Sequence, residues 1–293
     1  MAQNSTISWT HHTFNAWIGC TKISPGCKFC YAEAYAHKYR LTKWGDASQR
    51  RLTANSTWDR VLAWDRKAKK QKTRHRVFCS SLSDVMEDNP QLEQWRISLY
   101  ELILKTPNID WLILTKRPQN YWKFLPADWK NNFPKNVWLG TTICNQTEYN
   151  ENYSQFSELQ KQWGIQTIFV SFEPLLSNIW LTHGAPNWSI IGGESGYLKD
   201  ARKMDLNWVK HLITQIDNFN TEEKKHHVFF KQFGAQVAKI LKMQDKKGEA
   251  GIDLLPQQYN WLKRREIPFT VSEAVAEPVE ALESTLIKQT NLF

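Results

Sequence analysis

The chain has 293 residues, 41% of them hydrophobic, with a formal net charge of +9 and a pI of about 9.2. That length carries one large domain or two small ones with a full core. No apolar run approaches the roughly 18 residues of a membrane span, the start MAQNSTISWTHH lacks a signal-peptide layout, and five cysteines, an odd number, argue against a disulfide framework. A reducing, cytoplasmic setting is expected, in which clustered cysteines serve ligation or chemistry.

The first expected strand covers residues 13–18. Directly after it comes CTKISPGCKFCY, in which Cys20, Cys27 and Cys30 are spaced C-x6-C-x2-C. Pro25-Gly26 supplies a turn that brings the thiols together, and a helix is expected over 31–39. Three readings of the loop stand. The cysteines are buried without a ligand; or they bind zinc with His37, His11 or His12 as fourth ligand; or they hold an iron–sulfur cluster. A [4Fe–4S] cube ordinarily takes four cysteines, so three would leave one iron open to a substrate or cosubstrate.

Further along, apolar runs at 77–80, 111–115, 137–141, 167–171, 188–192 and 227–231 alternate with helical patterns at 90–105, 146–163 and 206–216. Asn89 is the expected cap of the first of these helices, with Pro90 at its first position. The runs are apolar throughout rather than alternating, as strands buried on both faces are. The repeat of strand and helix predicts an α/β fold, a partial or complete parallel (β/α) barrel. Each run ends in polar or glycine residues: Ser80, Ser81 and Asp84; Lys116 and Arg117; Thr141 and Thr142; Ser171 and Glu173; Gly192, Gly193 and Glu194; Lys231 and Gln232. In a parallel barrel these ends share one face, where ligands sit.

Basic residues bunch at 66–76, 224–227 and 263–265, which suits a polyanion such as nucleic acid. Some of the 15 tryptophans, and Tyr121-Trp122 near a strand end, are candidates for stacking on bases. Residues 1–265 are expected to form the barrel domain. Residues 266–293 hold five Glu and one Lys, a net charge of −4 that leaves +13 on the body, and are expected to be a flexible tail.

A cysteine loop after the first strand of a parallel barrel, with aromatic Phe29 directly before the last cysteine, resembles the radical S-adenosylmethionine (radical SAM) enzymes. The strings Trp17-Ile-Gly-Cys20, Ser24-Pro-Gly-Cys27 and Cys30-Tyr-Ala-Glu33, together with Ser171-Phe-Glu-Pro174 and Gly192-Gly-Glu194, resemble a phage- and bacterium-associated radical-SAM-like family whose members mostly lack an assigned reaction. Two departures exist. The usual loop has three residues between its first two cysteines, and here a Gly-Gly-Glu run ends a late strand instead of the second. The resemblance implies a radical SAM type of barrel, with Cys20, Cys27 and Cys30 holding a [4Fe–4S] cluster. It implies S-adenosylmethionine on the open iron, an external electron donor and a 5′-deoxyadenosyl radical that takes hydrogen from substrate. It then gives the strand ends work: Glu173 or Glu194 for the amino group, Lys116 or Arg117 for the carboxylate, Ser80, Thr142 or Asn145 for the ribose, and Gly192-Gly193 for close backbone approach.

The final residues Gln289, Leu292 and Phe293 resemble the short peptide by which bacterial polymerases and repair proteins bind the DNA sliding clamp, with an apolar pair for a pocket and a glutamine for its rim. The basic body and this peptide together point to DNA modification or repair. The rival expectations are radical chemistry on a peptide, RNA or small molecule, and a non-catalytic zinc-stabilised nucleic-acid-binding protein.

Overall fold

The computed structural model describes residues 4–243 and 245–268. Seven strands form one wholly parallel sheet, β1 (His12–Phe14), β4 (His75–Cys79), β5 (Ile109–Thr115), β6 (Val137–Thr142), β7 (Ile168–Phe172), β8 (Trp188–Gly192) and β9 (His227–Gln232), paired in that order. Strands β1 and β9 are the two edges, so the curled sheet is a half-barrel. A second, two-stranded antiparallel ladder joins β2 (Trp17–Ile18) to β3 (Arg51–Leu52). The helices are α1 (Tyr31–Lys38), α2 (Asn55–Lys70), α3 (Glu93–Leu104), α4 (Tyr121–Phe124), α5 (Gln146–Glu148), α6 (Ser154–Trp163), α7 (Leu206–Asn218) and α8 (Ala235–Ile240).

Successive strand residues point to opposite faces, and the sheet buries both. The convex face, with Val77, Ile113, Leu139, Val170 and Phe230, packs under the helices in the larger core. The concave face is graded along the strands. At its N-terminal end Phe78, Leu112, Trp138, Phe169, Trp188 and Phe229 pack with Trp9 into an aromatic floor. Two residues on come smaller groups, Leu114, Gly140 and Ile190, and then the polar set Ser80, Lys116, Thr142, Glu173 and Lys231. The apolar runs thus make a floor, and their polar ends make a cavity above it.

Gly140 is where floor and cavity meet. A Cβ there would lie 2.2 to 2.5 Å from three atoms of the Phe169 ring. Gly140→Ala is therefore expected to lower the melting temperature by about 5 °C, from an overpacking cost of about 1–3 kcal/mol; an unchanged thermal melt would contradict the packing described.

The first expected strand is broken. Asn15 turns its side chain to Ser81 and to the backbone N–H of Leu82, at 2.9 and 2.6 Å, and Thr53 donates to the carbonyls of Asn15 and Ala16. The chain leaves the sheet after Phe14, and Trp17–Ile18 pairs elsewhere. The helix expected over 90–105 begins as a 3-10 turn capped by Asn89 and continues as α3. That over 146–163 is interrupted by a π-helical turn at Tyr149–Tyr153. Helix α2 was not foreseen. Tyr121 and Trp122 are not at the cavity, which corrects their reading as base-stacking residues. The Tyr121 hydroxyl is buried against the carbonyls of Ile113 and Gly140, and Trp122 packs edge-on against Trp163.

The outer edge of β9 is covered by an extended segment in which Phe230 donates to Arg264 and Glu266 donates to Val228. Contacts to the body thus run on through Ile267, slightly past the expected boundary at 265. The expected tail and its terminal peptide, Gln289, Leu292 and Phe293, lie outside the described residues.

Beside the N-terminal end of β4 sits a chain of histidines. Asn4 N–H donates to His12 Nδ1 at 3.3 Å, so His12 Nε2 carries the proton and donates to His75 Nδ1 at 3.1 Å. His75 Nε2 then donates to Gln71 Oε1, and His11 Nδ1 accepts from Arg76 N–H. Every ring is placed as a neutral imidazole. Burial, then Arg76, lowers the pKa of His11 to about 4; burial, then His75, lowers that of His12 to about 4. Groups held below their ordinary value of about 6.5 give stability that is complete above that pH and is lost as pH falls toward 4. Melting temperature is expected to drop through this window, and a His11→Asn/His12→Gln variant should show a flatter profile; parallel profiles would contradict it.

Candidate functional site

The cysteine loop is built from both ends. Gly19, at φ 115°, donates to the Leu82 carbonyl and brings Cys20 over the C-terminal edge of β4. Ser24 accepts from the Gly26 N–H at 3.1 Å and opens a 3-10 turn over Pro25–Cys27. Cys30 is the N-cap residue of α1, and its carbonyl accepts from Ala34. Three arginines pin the loop. Arg117 reaches the Cys20 Sγ at 3.6 Å and the Thr21 carbonyl at 3.0 Å while pairing with Asp84 at 2.8 Å. Arg50, paired twice with Glu87, reaches Thr21 Oγ1 at 2.9 Å. Arg202 donates to the Pro25 carbonyl at 3.0 Å and lies over the Phe29 ring.

All three cysteines are free thiols and line one cavity of about 320 Å³ above the aromatic floor. Its volume is at the lower end of the range of about 300–1,000 Å³ for small-molecule sites. Of the strand-end residues expected to contact a cofactor, Ser80, Lys116, Arg117, Thr142, Glu173, Gly193 and Glu194 line it; Asn145 and Gly192 do not. Asn145 instead caps α5, accepting from Glu148 N–H at 2.9 Å. Gly192 makes room for Glu173, whose Oε1 would stand 2.6 Å from a Cβ there. The carboxylates have partners: Glu173 takes Lys231 at 3.0 Å and the Ser171 hydroxyl at 3.1 Å, and Glu194 is clasped by the Arg202 backbone and guanidinium. Lys116 makes no ion pair among the described residues. Asp84 and Lys231, strand-end residues to which no ligand contact was assigned, also line the cavity, as do Tyr31 and Trp44, which were not expected there. A charged Lys231 two residues after Phe229 in an apolar run was the signal for one of them.

A fourth thiol stands behind the loop. A Cβ on Gly26 would lie 2.4 Å from the Cys144 Sγ and 3.5 Å from the Lys116 Nζ. Cys144 is fully buried and its Sγ faces the Glu173 carbonyl at 3.8 Å. Among the described residues no group of three or more His, Cys, Asp or Glu side chains is gathered so as to hold a metal ion. Of the histidines weighed as a zinc ligand, His11 and His12 are engaged at the far end of the sheet, and His37 is exposed on α1.

A family model described as Protein of unknown function (DUF5131) matches residues 4–262. The chain belongs to that family. No curated protein and no solved structure matches it. The match takes in the cysteine loop, every strand and the whole cavity of this DUF5131 chain.

The electrostatics of the DUF5131 cavity are set by burial working against a few cations. Burial pushes the Cys20 thiol up to about 12, reinforced by Asp84 and opposed by Arg117. Burial also raises Cys30, against the backbone N–H groups of Glu33 and Ala32 at the start of α1. Cys144 is pushed up to about 12 by burial, with Lys116 opposing. Burial alone would lower Lys116, but Cys144, Cys27, Glu148 and Cys30 outweigh it and its pKa is raised. Lys116 lines the cavity beside the loop, and anionic sulfur there would favour its ammonium form.

The basic bunches lie elsewhere. Residues 66–76 form the end of α2 and the start of β4, and 224–227 precede or begin β9, both at the strand ends opposite the cysteine loop. Within the first, Arg74 pairs with Asp110 at 2.7 Å and Arg76 donates to the Trp9 carbonyl. Residues 263–265 run beside the β9 edge.

Proposed function

We propose that the chain is a radical SAM enzyme acting on nucleic acid, with DNA as the favoured substrate. The observation that supports the reading is that Cys20, Cys27 and Cys30 all line a cavity whose lining also includes strand-end cations, carboxylates and hydroxyls. The donor set is all sulfur. Arg117 donates toward Cys20 and Lys116 lies beside the loop, and such donors and cations suit a negatively charged thiolate-bound cluster. In this reading the three cysteines hold a [4Fe–4S] cluster. With S-adenosylmethionine bound, such a cluster would supply one-electron reductive chemistry toward the sulfonium.

The chain's own residues do the rest. Lys116, which makes no ion pair among the described residues, offers a cation to the ligand carboxylate, and Ser80 and Thr142 offer hydroxyls. Gly193 presents backbone. Glu173 is held in place by Lys231 and Glu194 by Arg202, so each presents a fixed oxygen edge. The aromatic floor below excludes water from the closed end. An external electron donor completes the scheme, and the terminal peptide Gln289, Leu292 and Phe293 would tether the enzyme to the sliding clamp.

Anaerobic reconstitution with iron and sulfide tests this. The wild-type chain is expected to take up about four irons per chain. Cys20→Ala, Cys27→Ala and Cys30→Ala are each expected to lose most of that iron, and Cys79→Ala to keep it. Stoichiometric zinc with no iron uptake would overturn the reading and favour the zinc-stabilised binder.

A further inference from the structure

Helix α1 presents Tyr31, Tyr35 and Tyr39 at a four-residue spacing, the last as its C-cap residue. Residues four apart share a helix face, and at 1.5 Å of rise per residue successive rings stand about 6 Å apart along the axis. The three are 52%, 43% and 53% exposed, too open to be core. Tyr35 and Tyr39 approach to 4.5 Å between ring centroids. The Tyr31 ring is exposed, and its hydroxyl donates to the Ser81 carbonyl at 2.8 Å. Tyr31 is also part of the cavity wall, as is Trp44. The stripe therefore starts at the cavity and leads outward.

The charge around it is one-sided. Residues 20–44 contain Lys22, Lys28, Lys38, Arg40 and Lys43 against the single acid Glu33, a net +4 from five minus one. All five cations are exposed, and among the described residues only Lys22 makes an ion pair, with Glu33 at 2.5 Å; Lys28 and Lys38 lie over the Phe29 and Tyr39 rings at 5.2 and 5.3 Å. A second copy of the chain pairing through this face would set two such positive patches against each other. Exposed rings at helical spacing, edged by exposed cations, match a strand with stackable bases and a charged backbone.

We infer that the α1 face formed by Tyr31, Tyr35 and Tyr39, edged by Lys28, Lys38, Arg40 and Lys43, is a stacking platform for single-stranded nucleic acid that leads a nucleotide toward the cavity. The platform deepens the nucleic-acid part of the function proposed above, but does not depend on the cluster. It also relocates the binding surface. Of the three basic bunches legible in the sequence, two lie at the other end of the sheet and the third runs beside β9, whereas this face adjoins the cavity. A base that is to be acted on must leave a stack, and the platform would take the strand in that unstacked form.

The test is fluorescence anisotropy of a labelled single-stranded thymidylate oligonucleotide of about a dozen nucleotides, a length suited to one binding face, on the full chain. Tyr35→Ala and Tyr39→Ala are each expected to weaken binding on the order of tenfold, whereas Tyr→Phe at either position retains it. Lys38→Gln with Lys43→Gln should reduce the slope of log affinity against log salt by about 1.4. A duplex of the same length should bind more weakly than the single strand. Absence of binding by the wild-type chain, or unchanged affinity in the Tyr35→Ala/Tyr39→Ala variant with an unchanged melt, would overturn the platform. The same outcome with loss of retention on an acidic redox protein would assign the face to an electron donor instead. Iron uptake on the same samples separates the two readings. Oligonucleotide binding without iron uptake sinks the cluster and leaves the platform, and iron uptake without oligonucleotide binding does the reverse.

Discussion

Replacing Arg50 by methionine is expected to cost about 3–5 kcal/mol and to release the cysteine loop. The Arg50 and Glu87 side chains are 1% and 5% exposed, joined by two hydrogen bonds of 2.8 and 2.6 Å. The same guanidinium satisfies the carbonyls of Gly45 and Ser48 and the hydroxyl of Thr21. Methionine fills the space but leaves the Glu87 carboxylate and the Ser48 carbonyl without the donors Arg50 supplies, while Gly45 keeps the Ser48 N–H; a buried charge left alone is the expensive case. Arg117 approaches Glu87 only to 4.0 Å and is already committed to Asp84, so it offsets little. The loss corresponds to a melting temperature lower by on the order of 10 °C. Lysine in the same place cannot form the two-pronged pair and should recover only part of it. The Arg50→Met/Glu87→Gln variant should be less destabilised than the sum of the single changes, because the orphaned charge is gone. A melt within about 2 °C of wild type for Arg50→Met would contradict this account of the loop.

Gly26→Ala should impair iron uptake several-fold, and Cys144→Ala should restore it. The new methyl would stand 2.4 Å from the Cys144 Sγ, with Ser24 Oγ next at 3.3 Å and Lys116 Nζ at 3.5 Å. The thiol is the only severe contact of the three, and it has a short, fully buried side chain that cannot swing clear. The loop itself must shift, and Cys27 is the next residue. Removing the Sγ in the double variant removes the clash while the other two contacts remain close to ordinary packing. Iron per chain after reconstitution, measured beside a thermal melt, reads the effect. Normal uptake by Gly26→Ala, or failure of Cys144→Ala to rescue it, would show that the thiol does not support the loop as described.

The parallel sheet was legible because its strands are buried on both faces. Runs such as Trp111–Leu–Ile–Leu feed aromatic or aliphatic groups to the floor and to the helices alike. What the pattern hid were features decided by distant partners. The first strand breaks because Asn15 finds Ser81 and Leu82, 66 and 67 residues away. Helix α2 carries a buried stripe of Thr57, Val61, Trp64 and Ala68, but its many lysines and arginines drew attention to charge and away from that period. In the site, the strand-end rule placed Lys116, Glu173 and Glu194 around one cavity, while their partners were out of reach. Arg117 is bound up with Asp84 and the Thr21 carbonyl, so its guanidinium holds the loop. Cys144 reads as a core residue in the sequence, and only the fold sets it behind Gly26. The tyrosines of α1, Tyr31, Tyr35 and Tyr39, were passed over in the sequence, because only the fold shows that they are exposed beside the cavity.

The central claim is that three cysteines leave one iron free for S-adenosylmethionine. Electron paramagnetic resonance of the reconstituted, reduced chain tests it most directly. The account predicts a [4Fe–4S] signal that changes shape when S-adenosylmethionine is added and is absent from Cys27→Ala. A cluster signal indifferent to the added sulfonium compound, or no cluster signal in the wild-type chain, would contradict it.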